Sequence, residues 1–217
     1  MNPGSFACVI FDCDGTLVDS ETLCSVVLAK EMRRFHLDLD AAELVRRYRG
    51  WPLANILSDL SARHTVTLDE EFSTRFRALE LEAFESELQV IPGIPEALRS
   101  VSVAKCVASS GPVSKIKRAL KVTGLDVFFG SHIFSAHDVD SWKPEPHLFL
   151  HAAARMQVDP RLCAVVEDSD VGILAARRAN MSAFLYDPEQ LGSAHAGVTT
   201  FQRMSALPSL LAAHAPR

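Results

Sequence analysis

A chain of 217 residues, 48% hydrophobic and 23% charged, suits one large domain, or a core with a small insertion, of ordinary globular composition. A formal charge of −5 argues against a nucleic-acid partner, and no apolar run reaches the roughly 18 residues that a membrane helix needs. Residues 1–5 lack the basic and apolar regions of a signal peptide, and the five cysteines are odd in number, with Cys8, Cys106 and Cys163 inside apolar runs. The expectation is a cytoplasmic monomer with reduced, buried thiols and no membrane partner.

The first element is the apolar run 7–11, which reads as a strand buried on both faces, as in a parallel sheet. It leads into Asp12 and Asp14, one residue apart, and then Gly15-Thr16. Burying charge is costly, so the two carboxylates belong just past the strand's C-terminal end, where open α/β sheets hold their ligands. Helices are predicted over 20–36, 40–48, 52–63 and 69–88; the last follows Thr67-Leu68-Asp69-Glu70, which has capping-box spacing. Phe72, Phe76, Leu79 and Ala83 make a stripe read as core packing. From Val90 the strand-helix alternation resumes: a helix to about 100, a strand at 103–108, the turn Ser109-Ser110-Gly111-Pro112 and a helix to about 122. A short strand at 131–134, a loop at 141–146, a helix at 146–156 and a strand at 162–166 follow, the last ending in Glu167-Asp168. A helix at 170–179 with Asn180 as left-handed cap, a strand at 181–186 and a helix at 204–213 complete the chain. This alternation implies an α/β fold with a parallel sheet and right-handed crossovers.

Apolar runs end in polar residues at Asp12, Ser109 and Glu167, and in a parallel sheet these ends share one edge. Lys143, between Trp142 and Pro144, can reach the same edge. Taken singly, each part has a plainer reading. Lys143 suits a surface loop, Ser109-Ser110 a helix cap, and 167–170 an acidic helix N-terminus. Taken together, carboxylates, a Ser-Gly turn and one ammonium suit a hard divalent cation beside a phosphate. Oxygen ligands from Asp12, Asp168 and Glu167 favour magnesium over zinc. Ser109 and the N–H groups of Ser110 and Gly111 can cradle phosphate oxygens, and Lys143 can neutralise charge on Asp12 and the transferring group. Cys13, flanked by carboxylates, is a poor candidate for a reactive thiol.

Asp12-Cys13-Asp14-Gly15-Thr16-Leu17-Val18-Asp19 resembles the first signature of the haloacid dehalogenase-like hydrolases. Ser109 matches the second signature's Ser/Thr, Lys143 the third's lysine and Glu167-Asp168 the fourth's acidic pair, all in order. The resemblance covers about 7–186. It implies a Rossmann-like core of strand order 5-4-1-2-3 formed by 1–19 and 89–217, with a small helical cap at 20–88. It further implies magnesium held by Asp12, Asp168, Glu167 and the backbone carbonyl of Asp14. Asp12 would be the nucleophile and Asp14 the acid/base, Ser109 and Lys143 would assist catalysis, and the reaction would pass through an aspartyl-phosphate intermediate. Thr16 would steady the turn and help bind substrate with Ser110, Gly111 and Lys143, and Asp19 would orient the loop.

Within this family the chain is similar to the β-phosphoglucomutases and to sugar-phosphate phosphatases. The mutases carry a cap histidine where this chain has Cys24, and an aliphatic residue in place of Thr16, so hydrolysis is the expected outcome. The run of signatures, with Trp142-Lys143-Pro144 and Ser109-x-Gly111-Pro112, resembles 6-phosphogluconate phosphatases, although Ser110 stands where Asn is usual and Glu167 where Asp is. The expected partner is therefore a small phosphorylated metabolite, with 6-phosphogluconate as the leading candidate. A phosphosugar mutase and a non-catalytic phosphate-binding module remain as alternatives. Arg46, Arg47 and Arg49 form a basic cluster that reads either as a solvated helix face or as a reader of substrate oxygens, with Arg49 the favoured reader. His132, His137, His147 and His151 suggest no metal site.

Overall fold

The computed structural model of the chain describes residues 5–49, 51–190 and 195–214. Most of the N-terminal stretch read for a leader, residues 1–4, lies outside the described residues, as does Gly50 beside Arg49. The chain forms two compact units, Met1–Val18 with Val90–Arg217, and Asp19–Gln89.

In chain order, β1 (Cys8–Phe11) is followed by the four helices of the second unit: α1 (Ser20–Met32), α2 (Ala41–Tyr48), α3 (Leu53–His64) and α4 (Glu70–Glu87). The first unit continues with α5 (Ile94–Ser100), β2 (Ala104–Ser109), α6 (Val113–Val122), α7 (Asp126–Phe129), β3 (Ile133–Ser135) and α8 (His147–Arg155). It ends with β4 (Cys163–Glu167), α9 (Asp170–Arg178), β5 (Ser182–Tyr186), β6 (Thr199–Phe201) and α10 (Leu207–Ala213).

Among the described residues, the six strands of the first unit are parallel and lie in the order 6-5-4-1-2-3. The expected order is present, with β6 added on one edge. β1 is central and buried throughout, which is why its sequence shows no polar alternation. Its side chains still alternate in space. Cys8 and Ile10 join Cys106, Ala108, Cys163 and Val165 on one face, where Ala152 and Ala153 of α8 and Ala175 and Ala176 of α9 cover them. On the sheet's other face, the ring of Phe11 meets that of Phe129 in α7 edge-on at 6.0 Å, and Phe184 meets Phe6 at 5.9 Å.

The second unit is helical. Leu28, Ala29, Met32, Leu44, Tyr48, Leu57, Leu60, Phe72 and Phe76 form its core, so the aromatic stripe of α4 is packing, as its spacing predicts. The cap of α4 differs from expectation. Asp69 rather than Thr67 accepts from the Phe72 N–H, at 2.9 Å, because the helix begins at Glu70. α1 stops at Met32, a 3-10 turn spans Arg33–Phe35, and His36 adopts a left-handed φ of 60° that ends the segment. Among the described residues no helix is long and apolar enough to cross a membrane.

Candidate active site

Strand register decides which side chains meet. Phe11 is aligned with Val107 on one side and Val166 on the other, so β1, β2 and β4 deliver Asp12, Ser109 and Glu167 to the same sheet edge. The Asp12 N–H still donates to Val166 O at 3.0 Å, which fixes the start of the loop that carries Asp14. Gly15 follows with φ of 78°, and a Cβ there would overlap the Asp168 carboxylate. Backbone conformation and close approach both demand glycine at this one position. Thr16, grouped by sequence with the substrate-binding residues, is fully buried, and its hydroxyl donates to Asp168 Oδ1 at 3.1 Å. Its hydroxyl thus holds a carboxylate in place.

Asp12, Glu167 and Asp168 are buried, and one oxygen of each lies within 4.8 Å of the others. Lys143 is the counter-charge: its Nζ donates to Asp12 Oδ1 and, at 2.6 Å, to Glu167 Oε1. Burial pushes the Asp12 carboxyl above its ordinary range; Lys143 opposes this rise, and Glu167 and then Asp14 add to it. Burial alone would lower Lys143, but the carboxylates of Asp12 and Glu167 outweigh it and hold the ammonium above its ordinary value. The Lys143 side chain is only 4% exposed, so the surface-loop reading fails. Cys13 is buried and its thiol is pushed up by burial, then by Asp14 and Asp12, which makes it a poor nucleophile.

The donor set is all oxygen, anionic and convergent, which fits a hard divalent cation. Within it the three carboxylates are not equivalent. Glu167 Oε2 accepts from the N–H groups of Asp168 and Ser169, both at 2.9 Å, and from Ser169 Oγ at 2.8 Å. With Lys143 on its other oxygen, Glu167 already serves four donors. Asp12 and Asp168 are the better candidates for direct ligation, and Glu167 braces them. Ser169 Oγ also accepts from Gly172 N at 3.1 Å and so caps α9, fixing the helix to the carboxylates at its start.

The turn after β2 stands beside this cluster. Ser109 is buried, and its Oγ accepts from the Gly111 N–H at 3.1 Å, while the helix cap proper is Pro112 without a side-chain bond. Ser110 is half-buried in the same turn. Two residues not singled out by sequence complete the arrangement. Ser135, fully buried at the end of β3 and in register with Ser109, donates to Gly111 O at 2.6 Å. Lys115, in the first turn of α6, lies 3.7 Å from Asp14 Oδ1. The shared strand edge could have pointed to Ser135; a single lysine in an exposed helical pattern carries no such signal. The Asp14 side chain is outside the carboxylate trio.

Two site candidates lie in the second unit. Asp19 caps α1 by accepting from Thr22 N at 3.3 Å. Arg49 ends α2 with its Nε 3.7 Å from Glu21 Oε2. Arg47 is engaged with Asp59, at 3.4 Å, beside Tyr48.

Comparison with known proteins places this geometry. A family model described as haloacid dehalogenase-like hydrolase matches residues 6–180. A 6-phosphogluconate phosphatase of Escherichia coli strain K12 is 37% identical over 205 residues, covering 93% of both chains. A fructose-1-phosphate phosphatase of the same strain is 31% identical over 186 residues, 82% of this chain and 95% of that one. Among solved structures, a conserved haloacid dehalogenase-like protein of unknown function from Agrobacterium tumefaciens superposes with a TM-score of 0.86 at 32% identity, over 96% of this chain and 99% of its own. A strand-edge aspartate pair, a buried lysine and an acidic fourth element, in that order and on this sheet, make the chain a member of the haloacid dehalogenase-like hydrolase family, with phosphatases of that family among its relatives.

Proposed function

We propose that the protein is a magnesium-dependent phosphomonoesterase acting on a small sugar phosphate or phosphorylated sugar acid, with 6-phosphogluconate as the leading substrate. The observation that carries this reading is the division of labour between the two aspartates. Asp12 is buried at the strand end against Lys143 and beside Asp168, whereas Asp14 stands outside the carboxylate trio. The first environment suits a nucleophile and the second a proton carrier.

Asp12 attacks phosphorus in line, the bond from phosphorus to the ester oxygen breaks, and Asp14 gives its proton to the leaving alkoxide. Asp14 then takes a proton from water, whose oxygen attacks the aspartyl-phosphate, and phosphate leaves as Asp12 is regenerated. Lys143 holds Asp12 in line and balances its charge, while Ser109 and the N–H groups of the 109–111 turn bind phosphoryl oxygens. Magnesium, held by Asp12, Asp168 and the backbone carbonyl of Asp14, would supply further charge neutralisation at the transferring group. We assign residues 20–88 the part of a helical cap that excludes water, and Arg49 that of a reader of substrate oxygens. Relatedness to phosphatases named for 6-phosphogluconate and fructose 1-phosphate supports the substrate class.

The test is phosphate release from a panel holding 6-phosphogluconate, fructose 1-phosphate, β-glucose 1-phosphate and nucleoside monophosphates, with and without magnesium. Asp12→Asn serves as the blank. A magnesium-dependent preference for 6-phosphogluconate that vanishes in the variant is the expected result. Conversion of β-glucose 1-phosphate to the 6-phosphate without phosphate release would replace the reading with a mutase, and ligand binding with no turnover would replace it with a binding module.

A further inference from the structure

The two aspartates of the first loop each have their own ammonium. Lys143 serves Asp12, as described. Lys115 serves Asp14, with Nζ 3.7 Å from Oδ1 and the two side chains 27% and 30% exposed. The backbone around them explains the meeting. Lys115 belongs to the first turn of α6, directly after the Ser109–Gly111 turn, so its root is fixed to the phosphate cradle. The three side chains converge on Gly111: a Cβ at that position would lie in ordinary contact with all of them, 3.6 Å from Ser109 Oγ, 3.7 Å from Lys115 Cδ and 3.8 Å from Asp14 Oδ2. Ser109, Lys115 and Asp14 therefore surround one point of the turn, at the residue whose carbonyl accepts from Ser135.

We propose that Lys115 is a positioning residue for Asp14, keeping its carboxyl group beside the 109–111 turn, where the ester oxygen of a bound phosphomonoester departs. The inference rests on the proposed phosphatase reading and adds a residue to it. Lys115 transfers no proton and forms no bond. It restricts where Asp14 can point by attracting Oδ1, as an ion pair while Asp14 is ionised and through the carbonyl dipole when the other oxygen carries the proton, which an apolar side chain of similar length cannot do.

Leaving groups differ in how much they need Asp14, and the test uses that difference. An alkyl phosphate such as the preferred sugar phosphate requires protonation of its alkoxide; p-nitrophenyl phosphate, whose phenolate is stable, does not. The experiment measures kcat/KM, which covers the step in which the ester bond breaks, for both substrates with the parent, Lys115→Met and Lys115→Arg. Lys115→Met should lower kcat/KM for the sugar phosphate by about 10- to 100-fold and for p-nitrophenyl phosphate by less than about 3-fold, with Lys115→Arg recovering most of the loss. Equal losses on both substrates would overturn the proposal in favour of a phosphate-holding or purely structural part for Lys115. No loss on either substrate would also overturn it. A parent enzyme with no metal-dependent release from any phosphomonoester would overturn the phosphatase reading itself, and this inference with it.

Discussion

Lys143 and Glu167 form an ion pair of 2.6 Å with side chains only 4% and 1% exposed, one residue from the carboxylate expected to bind the metal. Removing one member of such a pair strands the other. Lys143→Met should leave Asp12 and Glu167 facing each other in the interior and cost about 3–5 kcal/mol of stability, besides abolishing turnover. Urea denaturation of metal-free protein measures the first effect and phosphate release the second. Lys143→Arg should not restore activity, since the planar fork cannot occupy a site shaped for a point charge. A variant as stable as the parent would show that the pair is structurally dispensable.

Gly172→Ala has an inverted sign. In an exposed helix the change stabilises by about 1 kcal/mol. Here a Cβ would overlap the Glu167 carboxyl group, so Glu167 must give up its present partners or α9 must move. The expected outcome is a loss of about 1–3 kcal/mol with a concurrent fall in activity. A thermal melt beside an assay tests it, and a raised melting temperature would refute it.

Metal removal should act on both stability and activity. A chelator should stop phosphate release, and magnesium should restore it. Because the proposed metal site is assembled only in the folded chain, magnesium at about 100 times its Kd should add about 2.7 kcal/mol of stability. The same addition should do far less for Asp168→Asn, which differential scanning calorimetry can establish.

Tyr48 offers a pH test away from the site. Burial and the hydrogen bond it donates to Asp59 Oδ2 at 2.7 Å push its hydroxyl up to about 12. Folding thus favours the protonated form. The stability it contributes is complete below the ordinary tyrosine value of about 10, and is lost as pH rises from there through 12. Tyrosinate absorbance should show a step near 12 that Tyr48→Phe removes.

The parts legible in sequence were those in which many residues say the same thing. β1 and β4 are buried throughout and β2 from Cys106 onward, so they appear as apolar runs with polar ends, which located Asp12, Ser109 and Glu167 on one edge. β6 has three residues, of which Thr199 and Thr200 are not buried, so no pattern announced it. α7 has four residues, too few to display a period. The site escaped where function depends on a single atom's neighbour. Glu167 reads as a fourth-signature ligand and stands in the carboxylate trio, but that its oxygens also accept from Lys143, Asp168 and Ser169 is not written in the sequence. Ser135 and Lys115 matter only because the fold carries them to Gly111 and Asp14, a relation between distant segments that a linear pattern does not encode.

On the sheet face under α8 and α9, Ala152, Ala153, Ala175 and Ala176 pack with the strand residues Cys8, Cys106 and Cys163, among larger side chains such as Ile10, Phe149 and Ile173. At the alanines the helices meet the sheet through methyl groups alone. A layer packed this closely has little room for anything larger. An extra methyl group at Ala175 or Ala176 would have to be absorbed by displacing α9, whose first turn is tied to the site's carboxylates. Tolerance to substitution should therefore be lowest in a layer that touches no substrate. A library that randomises this seam would lose catalysts faster than one that randomises the exposed faces of the same helices, and the survivors would map how little the reaction centre can be shifted.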